Sequence, residues 1–150
     1  MAVHGHGHSG TAGHDVSWDR EAIRSGGLVA LLFAVPFSVA ARWAADSRDD
    51  SGLAIWLTLG AVAGFTLGAG CAAWLQRTGT PISHGLVTAI GTYLLAQALF
   101  VVVRLGRGED VRWFALLFNL TVVMAAGLLG GLLGQALRRR GALPPGQAAA

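Results

Sequence analysis

The chain has 150 residues, 53% of them hydrophobic and only 13% charged, with a formal net charge of +3. Its apolar residues are gathered into blocks of about 20 or more, the length needed to cross a hydrocarbon core, which excludes an ordinary water-soluble globular domain. The basic residues, all arginine, therefore belong to loops and tails and give no reason to expect a nucleic-acid partner.

Residues 1–22 read as a disordered His/Gly-rich tail opening "MAVHGHGHSGTAGH". With Met1 trimmed, the terminal amine, two backbone amides and the His4 imidazole offer the square-planar nitrogen set that Cu(II) or Ni(II) favours, and His6, His8 and His14 add ligands. A polar tail without a metal role is the plainer reading of such composition, so no cofactor is expected and Cu or Ni handling stands as a second alternative.

The first apolar block covers residues 23–43. Pro36 frees the carbonyl of Leu32 and predicts a kink. Ser38-Val39-Ala40 has the small-x-small form of a signal cleavage site, but Asp15, Asp19 and Glu21 against Arg20 make a poor basic leader, so a retained span is expected. The second block, 53–76, places Gly60, Gly64 and Gly68 on one helical stripe, with Cys71 nearby as a small buried residue. The third, 82–103, opens "PISHGLVTAIGTYLL"; His84 is expected to hydrogen-bond at the helix end and is a candidate polar residue at an interface. The "RLGRGEDVR" loop reads as a solvated connection.

The fourth block, 113–137, aligns Asn119, Gly127, Gly130 and Gly134. Residues 138–150 are an arginine triplet followed by "GALPPGQAAA", read as a basic and then disordered tail.

All five tryptophans, Trp18, Trp43, Trp56, Trp74 and Trp113, fall at block edges, as expected of indoles at a membrane interface. The fold predicted is all-α, a bundle of four transmembrane helices with disordered tails. Both termini then share one side, and the Arg138-Arg139-Arg140 cluster assigns that side to the cytoplasm of a bacterial inner membrane. "SGGLVA" at Ser25 and "SHGLVT" at Ser83 raise a tandem duplication, which chance similarity of Gly- and Leu-rich segments explains equally.

Small residues four apart let helices approach until backbones touch, so the glycine stripes predict the fourth helix pressed on the second, or on its copy in a neighbouring subunit. Asn119 would hydrogen-bond across that contact. No acidic or basic residue lies near the middle of a span, which argues against ion-coupled transport. In particular, the membrane-embedded Glu of the small multidrug transporters and the Thr-Thr-Phe-Ser run of the fluoride channels are absent from the sequence. No nucleophile-base set or phosphate-cradling motif is present, and no enzyme is expected.

From about residue 24 to 137, the glycine-stepped second helix, "PISHGLVTAIGTYLL" and "AAGLLGGLLG" together resemble a group of small four-helix bacterial membrane proteins. The resemblance implies a fold and brings no activity. The expectation is an accessory or scaffold subunit, or a homo-oligomer, partnered by the bilayer and by itself or another membrane protein. A small oligomeric channel or transporter is the alternative.

Overall fold

The computed structural model describes residues 18–47, 51–142 and 144. Among these, four helices account for nearly everything: α1 Arg20–Ser47, α2 Ser51–Leu75, α3 Pro81–Gly106 and α4 Trp113–Arg139. Each is long and apolar enough to cross a membrane. At about 1.5 Å per residue they run roughly 37–42 Å, beyond the hydrocarbon core of about 30 Å, so their ends reach headgroup depth in a bilayer.

All four helices extend past the apolar blocks at one end or both, and the N-termini of α1 and α3 show why. Asp19 is the N-cap of α1: its Oδ1 accepts the Ala22 N–H at 3.1 Å, and its Oδ2 accepts the Arg77 N–H at 3.2 Å. Residues 18–22, expected within the disordered tail, are therefore ordered, and helix begins three residues before the apolar block. α3 starts on Pro81, whose missing N–H costs nothing in the first turn.

At the other end of α3, the chain turns through Gly108 at φ +70°, with Gly108 N–H bonded to Leu105 and Glu109 N–H to Arg104, the paired bonds of a Schellman cap. α4 ends the same way through Gly141 at φ +81°, with Ala142 N–H on Leu137. The predicted tail after residue 140 is thus ordered at its start. The Ala142 carbonyl accepts the Trp74 indole N–H at 2.7 Å, and Pro144 is buried. α1 continues unbroken through Pro36.

Around the bundle the order is α1, α2, α4, α3; α2 touches all three other helices, and among the described residues α1 and α4 do not meet. The core is small-residue packing: Ala30, Ala34, Ala69, Ala89 and Ala126 with Phe65, Tyr93 and Val123.

The two hairpins share one packing register. In α1 and α2, a Cβ on Gly68 would lie 2.6 Å from that of Ala30, and one on Gly26 would lie 2.6 Å from that of Ala72. In α3 and α4, a Cβ on Gly127 would lie 2.8 Å from that of Ala89, and one on Gly85 would lie 2.9 Å from the Gly131 Cα. Every member of the first set maps onto the second by an offset of 59 residues. The matching strings at Ser25 and Ser83 are offset by 58, so they are one residue out of the packing register.

Candidate functional site

The glycines form three seams rather than one. α2 offers Gly60, Gly64 and Gly68 to α1, where added Cβ atoms would meet Phe37, Phe33 and Ala30. This corrects the expectation that this stripe faces α4. About 170° around the same helix, Thr66, Ala69, Gly70 and Ala73 receive Gly130 and Gly134 of α4. Gly127, expected on the same stripe, instead turns with Gly131 toward Gly85, Ala89 and Ile82 of α3. Carrying adjacent seams, α4 lies in the groove between α2 and α3. Four glycines weaken a helix by about 1 kcal/mol each relative to alanine, and close backbone contact offsets that loss.

The two seams of α4 close the half of the bundle nearer the termini, where a polar clasp seals it, while the α1–α2 seam runs on to Gly60 and Phe37 beside the opposite half. His84 is fully buried. Its Nε2 accepts the Asp19 N–H at 3.0 Å, which leaves the ring proton on Nδ1, 2.9 Å from the Thr80 carbonyl. Trp18 covers the imidazole with ring centroids 5.3 Å apart. Arg138 donates to the Gln76 carbonyl, an orphan acceptor at the C-terminus of α2. One member of the arginine triplet thus has a structural task inside the chain. Replacing Asp19 by Ala removes the cap and the strap to Arg77. We expect a loss of about 1–2 kcal/mol, read as a lowered thermal midpoint in detergent.

The opposite half is open. The last buried residue of α3 is Tyr93 and the first of α4 is Val123. Beyond them all four helices border a cleft of about 850 Å3. The Tyr93 hydroxyl donates to the Leu116 carbonyl at 2.7 Å, tying α3 to α4 at the inner end of this opening.

The cleft lining has a repeated grammar. α1 brings Ser38 and, one turn outward, Arg42; α3 brings Gln97 and, two turns outward, Arg104; α4 brings Asn119 and, two turns outward, Arg112. Asn119 is exposed here rather than held in a helix contact. Every charged residue among the described lining is arginine. Arg104 Nε lies 3.7 Å from Glu109 Oε2, a long, solvent-facing pair of the kind worth about 1 kcal/mol or less, and its Nη1 donates to the Asp110 carbonyl at 3.3 Å. Trp43, Trp56 and Trp113 are exposed on the helices at this same end, which puts the arginines at interfacial depth.

The chain matches no protein-family model, no curated protein and no solved structure. The resemblance to small four-helix bacterial membrane proteins accordingly rests on the quoted motifs alone, and the site has to be read from its own chemistry. His4, His6, His8 and His14 lie outside the described residues. Cys71 is half-buried, not fully buried as its setting suggested.

The cleft is what the sequence reading missed. Its signal was available as an arginine four or seven residues outward from an uncharged polar residue in three of the four spans.

Proposed function

We propose that the protein is a multi-span membrane protein that works by binding and helix packing rather than catalysis: an accessory or scaffold subunit, or a homo-oligomer, with its binding seat at the open end. The observation that carries this reading is the contrast between the two halves. One is locked by glycine seams and the clasp, and in the other the α1–α2 hairpin, still packed through Ala41, Ala44 and Ala61, parts from the α3–α4 hairpin around a lined cleft. A rigid base that keeps an unfilled groove at headgroup depth suits a component that another molecule completes. The clustered Arg138, Arg139 and Arg140 favour a cytoplasmic side for the termini, in a bacterial inner membrane.

An oligomeric channel built around the glycine faces has less support, because those faces meet backbone, alanine and phenylalanine within the same chain. The test is the native mass of the untagged protein, extracted gently, with every co-purifying polypeptide identified. The reading expects a stoichiometric second polypeptide or a defined homo-oligomer, disturbed by the cleft-filling variant Ala115→Trp. A solitary monomer, indifferent to that variant, would overturn it.

A further inference from the structure

The geometry points to a specific occupant: an anionic membrane phospholipid, its phosphate held among Arg42, Arg104 and Arg112 and an acyl chain laid along the apolar wall of the cleft. This rests on the reading of the open end as a binding seat in a membrane.

Three observations converge on it. Arginine presents a planar fork of donors that matches phosphate oxygens, and the described charged lining of the cleft is arginine from α1, α3 and the N-cap of α4; the acid paired with it, Glu109, lies outside the lining in a loose 3.7 Å pair with Arg104 that a phosphate can displace. The depth is right, since Arg42 stands 18 residues from Arg24 along α1, a rise of about 27 Å, and therefore lies at the edge of the hydrocarbon core rather than within it. The shape is amphipathic. Apart from the arginines and the uncharged Ser38, Thr58, Gln97 and Asn119 the wall is apolar, with Ile55, Leu59, Phe100 and Leu116 its largest side chains, and the volume of about 850 Å3 falls in the range of roughly 300–1,000 Å3 typical of small-ligand sites. Such a site takes a headgroup and the upper part of a chain, and the remaining tail runs into the bilayer. Bilayer lipids reach the seat by lateral diffusion, with no entry path through the closed half.

The experiment is native mass spectrometry of the full chain, delipidated in mild detergent and titrated with phosphatidylglycerol or with phosphatidylcholine of the same chain length. One phosphatidylglycerol is expected to bind at least about ten-fold more tightly than phosphatidylcholine, given the attraction each arginine exerts on anionic headgroups. The variant Arg42→Gln/Arg104→Gln/Arg112→Gln should abolish that preference. The variant Arg77→Gln/Arg107→Gln/Arg139→Gln, with equal loss of charge outside the cleft, should keep it. Ala115→Trp should weaken both lipids by obstructing the wall.

Equal binding of the two lipids, or equal loss in the two triple variants, would overturn the proposal. A photo-crosslinker at Val39 separates the failures. Capture of a polypeptide in place of lipid would refute the phospholipid and leave the binding seat standing. No capture, together with Ala115→Trp behaving as the parent in both lipid binding and native mass, would remove both.

Discussion

Gly130→Leu is expected to unseat α4 and to lower the thermal midpoint by on the order of 10 °C, the shift that about 3 kcal/mol produces in a chain of this size. A Cβ at this position runs into the Thr66 carbonyl and lies 2.7 Å from the Ala69 Cβ and 2.8 Å from the Gly70 nitrogen. Those obstacles are backbone and alanine, which have no rotamer to escape into, so the helices themselves must separate. Gly91→Leu is the matched control. It sits in α3 with nothing within 4 Å of an added Cβ, and it should be neutral or slightly stabilising through helix propensity, by up to about 1 kcal/mol. Circular-dichroism melts of the two variants in the same detergent decide the matter. Equal midpoints would show that close approach at α2 and α4 is not what holds the bundle.

His84→Leu is the second large effect. The substitution keeps an apolar body of similar size but strips the acceptor from the Asp19 N–H, while the Thr80 carbonyl loses the imidazole donor and keeps the His84 backbone N–H at 3.2 Å. A part-buried donor left without its partner costs about 1–3 kcal/mol, so a loss of about 2 kcal/mol is expected from the Asp19 N–H. The loss should also be local. Amide hydrogen exchange should accelerate at Asp19 and the first turn of α1 well before it does in α4, because Asp19 joins α1 to the turn at Arg77 and to α3. Unchanged protection at Asp19 would mean that the clasp does not hold this end.

Span number and approximate limits were legible because apolar length and tryptophan position are one-dimensional signals. The seams were legible only in part. Glycine spacing identified Gly60, Gly64 and Gly68 as a contact face, but not which helix meets it. Ala69, Gly70 and Ala73, the face that does receive α4, form a mainly alanine stripe that stands out little from the rest of α2. Choosing between Gly127 with Gly131 and Gly130 with Gly134 requires knowing that α4 has two neighbours, which is a property of the ring order. The ordering of residues 18–22 and 141–142 was hidden for another reason. It depends on a histidine 65 residues from Asp19 and a tryptophan 68 residues from Ala142, long-range partners that local composition cannot reveal.

The central claim is that one half of the bundle is locked and the other held open. It is tested most directly by double electron–electron resonance on a Cys71→Ala background, with spin labels on the same two helices at opposite ends. Glu21→Cys/Arg139→Cys reports the closed end, and Asp46→Cys/Phe114→Cys reports the cleft. The account predicts a narrow distance distribution for the first pair, unchanged by lipid depletion, and a broader one for the second that shifts when lipid is removed. Distributions equally narrow and unresponsive at both ends, or a broad one at the closed end, would contradict it.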